Sequence, residues 1–112
     1  NARNFINQYF SKPQISYIKI DSEFLSKKYE VTLTDRTEID FDKKGNWTEV
    51  DCKKGAVPAA LIPVSIKDYV KKNFPNEIIT KIERKGTGIE VELANDFSLK
   101  FNKKGQFVSM DD

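Results

Sequence analysis

The sequence predicts an α+β fold: two tandem helix-plus-four-strand repeats forming one antiparallel sheet, with the helices packed on one face. Three observations carry this. The heptapeptide Phe41-Asp42-Lys43-Lys44-Gly45-Asn46-Trp47 returns sixty residues later as Phe101-Asn102-Lys103-Lys104-Gly105-Gln106-Phe107. Around it, residues 29–50 align with 89–110 without a gap, and Glu30, Val31, Leu33 and Phe41 recur as Glu90, Val91, Leu93 and Phe101. Within each copy the apolar period then changes from that of a helix to that of a strand. The expected organisation is a single domain over residues 1–112, with repeat one at 1–52, a connector at 53–62 and repeat two at 63–112.

Each repeat opens with a helical stripe. In the first, Phe5, Ile6, Tyr9 and Phe10 share a face, and Pro13 stops the helix. In the second, Ile66, Tyr69, Val70 and Phe74 form the stripe, Pro63 sits where a first-turn proline is tolerated, and Pro75 ends it. Helices this short are marginal alone, so packing on a sheet must hold them.

Strands follow. Ile15, Tyr17, Ile18 and Ile20 are out of step, which predicts a bulge or a doubly covered end. Tyr29, Val31 and Leu33 then alternate with polar residues, as do Ile89, Val91 and Leu93. Turns are expected at Asp35-Arg36 and Asn95-Asp96, followed by Thr37, Ile39 and Phe41, or Phe97, Leu99 and Phe101. One face is apolar and the other polar, as in antiparallel sheets covered on one side. Asx-Lys-Lys-Gly suits a tight hairpin loop, because the Asx side chain can accept from amides two residues on and glycine takes a left-handed conformation freely. The strands after this turn lose strict alternation. Upstream the offset between copies becomes sixty-four, with Ile15 and Ile18 matching Ile79 and Ile82. The four extra residues fall between Lys19 and Tyr29, where a longer hairpin absorbs them. Between the repeats, Gly55, Pro58 and Pro63 punctuate an ordered crossover that carries Leu61 and Ile62, with one helical turn at 59–62.

Composition excludes several classes of function. The chain has 112 residues, enough to bury roughly two-thirds of its unfolded surface. With 38% hydrophobic and 12% aromatic residues it is not disordered. No apolar run reaches the roughly 18 residues of a membrane span. Nineteen basic against 17 acidic residues, net +2, is too even for nucleic acid. There is no histidine and one cysteine, Cys52, so His-dependent triads, ordinary zinc sites and an internal disulfide are all excluded. The opening Asn1-Ala2-Arg3, without methionine, fits a processed secretory chain as well as a trimmed one.

The candidate chemistry is weighed against plainer readings. Asp40-Phe41-Asp42 looks like the start of a calcium loop, but Lys44 stands at the fifth position and Asp51 at the twelfth, so a hairpin turn is the better reading. The Lys-Lys doublets at 27–28, 43–44, 53–54, 71–72 and 103–104 read as solvated turn tips and a helix exterior. Glu30, Glu38, Asp40, Glu90 and Glu92 should share the polar sheet face, where carboxylates without a cleft have no acid–base role. Cys52 reads as a packed thiol. Trp47 reads as core or contact. Tyr17, Arg36 and Trp47 have different residues at the corresponding positions of the second copy (Lys81, Asp96 and Phe107), and such asymmetry is where a function can reside. No cofactor is implied.

One pattern points to a family. Ile62-Pro63-x-x-Ile66-x-x-Tyr69-Val70-x-x-Asn73-Phe74-Pro75, then Ile79, Lys81-Ile82, Ile89-Glu90-Val91-Glu92-Leu93 and Leu99-Lys100-Phe101-Asn102-Lys103-Lys104-Gly105, resembles the PepSY-like family of β-lactamase-inhibitor-like proteins. The resemblance covers nearly the whole chain and is strongest from Val57 onward. Ser11 where repeat two has Pro75, the missing Ile-Pro before the first helix, and Asn95-Asp96 in place of Asn-Gly are departures. The resemblance implies a secreted or periplasmic bacterial protein with a fold like the β-lactamase inhibitor protein, whose concave sheet grips a partner. It carries no catalytic residues.

The expectation is therefore a non-enzymatic periplasmic or secreted binding module. It would engage a protein or peptide of the cell envelope through the open sheet face and its turns, with Tyr17, Arg36, Trp47, Glu30 and Glu38 as contacts. The alternatives are a small-ligand carrier or enzyme with a pocket between sheet and helices, and an assembly module pairing through an exposed sheet edge. Oligomeric state is left open.

Overall fold

The fold is that of a computed structural model, which describes residues 2–10, 15–23 and 26–111. Helix α1 (Ala2–Tyr9) is followed by strands β1 (Ile15–Glu23), β2 (Ser26–Leu33), β3 (Glu38–Phe41) and β4 (Trp47–Asp51). A single 3-10 turn (Ala59–Leu61) leads into helix α2 (Val64–Asn73). Strands β5 (Ile79–Lys85), β6 (Gly88–Leu93), β7 (Ser98–Asn102) and β8 (Phe107–Asp111) complete the chain. All eight strands form one sheet in sequence order, each antiparallel to the next. The α+β class and the one-sided helix layer expected from the sequence are present.

The period-two pattern explains the layer. Val31, Ile39, Val50, Ile82, Val91 and Leu99 stand opposite one another in successive strands and are fully buried. Phe41, Leu33, Leu93 and Phe101 lie on the same face. The helices cover this face with Ile6, Ile66 and Val70, and Phe5 and Tyr69 meet Phe41 and Phe101 edge-on, at centroid separations of 5.6 and 5.5 Å. A ten-residue helix gains little alone, and this apolar seam is what holds it. At the start of α2 the Pro63 carbonyl accepts from Ile66 and Lys67, and at its end Phe74 donates to Val70 before Pro75. Pro13 falls outside the described residues, and α1 ends at Tyr9.

The pairing registers repeat at an offset of sixty. Tyr29 opposes Phe41 as Ile89 opposes Phe101, and both β3–β4 and β7–β8 shift register at the same place, before Phe41 and before Phe101. That shift breaks the alternation of β4 and β8. The irregular first strands are bulged, between Ile15 and Tyr17 in β1 and between Ile79 and Lys81 in β5. The β1–β2 hairpin pairs out to Glu23 and Ser26, where β5–β6 closes at Lys85 and Gly88. The four extra residues thus lengthen this hairpin by two on each strand.

Candidate functional site

Among the described residues, no helix covers one face of the sheet. Because side chains alternate, the residues next to the buried row all point to that face. They form a second row: Glu30, Asp40, Glu49, Glu83, Glu90, Lys100 and Ser109, opposite one another across strands β2 to β8. Five consecutive members, from Glu30 to Glu90, are carboxylic acids. At about 4.8 Å per strand this acidic row runs roughly 20 Å across the middle of the sheet. Like charges directly opposite one another are unfavourable, so these positions work against stability. Lysines offset part of the repulsion: Lys28 lies 3.9 Å from Glu30, Lys81 3.9 Å from Glu49, and Lys85 2.9 Å from Glu90.

Burial and the neighbouring carboxylates both act on the acidities. Burial, with Glu30 beside it, pushes the Asp40 carboxyl up. Burial also raises Glu49, against the pull of Lys81 and with the help of Asp40 and Glu83. These two carboxyls are half-buried in the middle of an uncovered sheet, which is where a partner's charge would count most.

The expected contacts are placed as follows. Glu30 and Glu38 are on the open face, and Glu38 accepts from Lys53 at 3.2 Å. Arg36 lies in the β2–β3 turn, exposed, with a left-handed φ of 77°. Trp47 is on the opposite, helix-covered side, where it packs near Phe5 at 6.5 Å. The backbone at Tyr17 pairs with Thr32, and its side chain lies outside the described residues. The structure therefore places Glu30 and Glu38 on one face of the sheet and Trp47 on the other. Sequence reasoning missed Glu49 and Glu83: Glu83 joins the row only because β5 lies next to β4, which sets it opposite Glu49. The irregular alternation of β4 hid the signal for Glu49.

Trp47 has a partner of its own. The Arg84 guanidinium stacks over its ring at 3.8 Å and donates through Nε to the Trp47 carbonyl at 3.0 Å, with a second donation from Nη2. Burial lowers the Arg84 pKa, opposed by Asp42. Asn4, Gln8, Tyr9 and Asn46 line an open groove beside this pair.

The resemblance to a calcium loop dissolves in the geometry. Asp42 Oδ1 accepts from the amides of Lys44 (2.9 Å) and Asn46 (3.0 Å), so the carboxylate caps its own turn, and this holds its pKa down. Asn102 makes the same two bonds at the same distances. Gly45 and Gly105 take φ of 87° and 81°, as this turn demands. Among the described residues no group of three or more acidic or cysteine side chains is arranged to hold a metal ion. Burial pushes the half-buried Cys52 thiol up to about 11, which disfavours its thiolate form. An open groove of about 230 Å³, lined by Val57, Ile62, Val70, Phe74 and Ile79, runs along the crossover. Among the described residues no helix is long and apolar enough to cross a membrane.

Comparison with known proteins now bears on this geometry. No curated protein matches the sequence. A crystal structure described as a "putative calcium-regulated periplasmic protein" of Bacteroides thetaiotaomicron is 45% identical, with a TM-score of 0.95, covering 99% of this chain and 87% of that one. A structure described as a "putative periplasmic protein of unknown function" from Bacteroides vulgatus is 38% identical, with a TM-score of 0.95, covering 99% and 89%. A second structure from that organism, also described as a "putative periplasmic protein", is 38% identical, with a TM-score of 0.94, covering 99% and 87%. The relatives' periplasmic placement agrees with the one expected from the sequence. The family described as "Putative beta-lactamase-inhibitor-like, PepSY-like" matches residues 27–109, and the chain belongs to it.

Proposed function

We propose that this chain is a non-enzymatic binding module whose open sheet face engages a positively charged segment of a cell-envelope protein or peptide. The observation that carries this is the row of five neighbouring carboxylates, Glu30, Asp40, Glu49, Glu83 and Glu90, on a face no helix covers. A fold has no stability reason to align them, since the row is self-repelling. Lysine or arginine side chains laid across the row would relieve that repulsion and gain charge-assisted hydrogen bonds. In this reading the contacts are Glu30 and Glu38 joined by Asp40, Glu49 and Glu83, with Arg36 at the rim, and the chain acts as one domain of two repeats, 1–52 and 63–112. The small-ligand alternative calls for a cavity between sheet and helices; Ile6, Ile39, Ile66, Ile82 and Leu99 pack the middle of that layer, and the groove between α2 and Ile79 is open to solvent.

The test is affinity capture from the host's envelope extract, using the wild-type domain and an Asp40→Asn/Glu49→Gln/Glu83→Gln variant as baits. The expected result is a protein retained by the wild type, released by salt and lost with the folded variant. The same proteins retained equally by both baits would overturn the reading.

A further inference from the structure

The two edges of the sheet are complementary to each other. Strand β8 has β7 on one side and, among the described residues, no strand on the other. Its apolar side chains are partly exposed: Phe107 by 40%, Val108 by 60% and Met110 by 47%. At the far edge, Ile18 of β1 is 51% exposed. Ile18 and Met110 are the two ends of the buried row, because Ile18 opposes Val31 and Met110 opposes Leu99. Both edges also offer backbone donors and acceptors to an incoming strand.

The molecule already contains a joint of the required kind. By register, β4 in the first half corresponds to β8 in the second: Ile39 opposes Val50 as Leu99 opposes Met110. Likewise β5 corresponds to β1: Ile82 opposes Val91 as Ile18 opposes Val31, and both strands carry the same bulge. Strand β4 is sealed by β5, with Val50 opposite Ile82 and Val50 fully buried. Its counterpart β8 is open, and the strand equivalent to β5 is β1 at the other end of the sheet.

We propose that β8 of one molecule takes β1 of a second copy as its next strand, in the register in which β4 holds β5. Transferred residue by residue, Met110 stands opposite Ile18 of the second copy, Ser109 opposite Lys19, and Asp111 opposite Tyr17. Ile20 comes to the register position that Arg84 holds beside Trp47, next to the exposed ring of Phe107. The exposed ends of the apolar row thus meet. Different patches are used on the two partners, so the contact is head to tail and does not stop at a dimer unless it closes into a ring. This inference rests on the sheet edges and is independent of the acidic-face reading.

Sedimentation equilibrium over a concentration series up to about 1 mM tests it. For the wild type, the weight-average mass should climb with concentration past twice the monomer's 12.9 kDa. Ile18→Lys blocks one edge and Met110→Lys the other. Both positions are half-exposed, so the fold tolerates them, and circular dichroism verifies this. Val108→Lys serves in place of Met110→Lys should that variant unfold. Each variant alone should remain monomeric, and an equimolar mixture should form a dimer and nothing larger, joining the open β8 of one to the open β1 of the other. A wild type that stays monomeric throughout, or either single variant dimerising by itself, would overturn the proposal.

Discussion

Under α1 and under α2 the same sheet geometry carries two different aromatic seams. In the first, Phe5 meets Phe41 edge-on at 89°, leans on Trp47 at 36°, and has Tyr9 at 4.9 Å. Arg84, reaching from β5, lies over Trp47. In the second, Tyr69 meets Phe101 edge-on at 84° but stacks flat on Phe107, at 4.7 Å and 10°. The edge-to-face contact to the sheet's own phenylalanine is shared. The ring that follows the Lys-Lys-Gly turn is what differs, along with what lies beyond it. Trp47 is enclosed because β4 has a neighbour that supplies a cation. Phe107 has no such neighbour and takes its cover from the helix. The lesson is that a strand's position in the sheet, more than its own sequence, decides how its aromatic residue is packed.

The largest expected effect separates enclosed from open positions. Ile39 and Leu99 are equivalent by register and both fully buried, yet Ile39 lies between buried Val31 and Val50, whereas Leu99 has half-exposed Met110 on one side. Truncation of each to alanine should destabilise by about 2–5 kcal/mol, with Ile39→Ala the more costly because its site can collapse less. Chemical denaturation of the pair checks this, and a larger loss at Leu99 would mean that the open edge leaves the second half no looser.

Gly88 gives a second contrast. It holds φ of 155°, and a Cβ there would lie 2.0 Å from the Phe101 carbonyl oxygen. Gly88→Ala is expected to destabilise by at least about 1–3 kcal/mol, since the obstacle is backbone. The corresponding residue of the first half is Lys28, and Lys28→Ala should stay within about 0.5 kcal/mol. Thermal melts of both would show whether the shorter β5–β6 hairpin creates the constraint.

Removing the cation should loosen only the first seam. Arg84→Ala is expected to lose about 0.5–1 kcal/mol from the stacking interaction and to red-shift the fluorescence of Trp47, the only tryptophan. An unchanged emission spectrum would show that Phe5 alone shields the ring.

The smallest effect compares the two faces of the sheet. Asp40→Asn should stabilise the fold at neutral pH by about 0.2–1 kcal/mol, because it removes a charge from the repelling row. The sign follows from the raised pKa. A carboxyl that holds its proton more tightly when folded favours the fold below its unfolded value, and that contribution is lost as pH rises through the folded one. Wild-type stability should therefore gain from Asp40 and Glu49 as pH falls from neutral toward the carboxylate range. The Asp42 turn acts oppositely, losing its contribution as pH falls through its lowered pKa. The difference in stability between wild type and Asp40→Asn, followed against pH, should shrink on acidification. A constant difference would mean the row is too well screened to matter.

Much of this was legible from local sequence. The Asx-Lys-Lys-Gly turns, the helix ends near Pro63 and Pro75, the bulges in β1 and β5 and the buried partners Val31, Ile39 and Leu99 all follow from residues a few positions apart. The site was legible in part. Glu30, Glu38 and Asp40 fall on the polar face by simple alternation. Glu49 was hidden by the bulge in β4, and Trp47 was named as a contact because it differs from Phe107 in the second copy, whereas the structure places it on the helix-covered side.

The sequence by itself determined the elements, their turns and which side of most strands is apolar, since these depend on chain geometry and near neighbours. Only the tertiary structure decided what meets across the sheet: Arg84 over Trp47, 37 residues away, Gly88 beneath the Phe101 carbonyl, five carboxylates in one row, and β8 left without the neighbour that β4 has. The physical reason is that lateral strand order is set by long-range burial. The crossover through α2 lays β5 against β4 to close the apolar row, and every charge on the reverse face is carried into place with it.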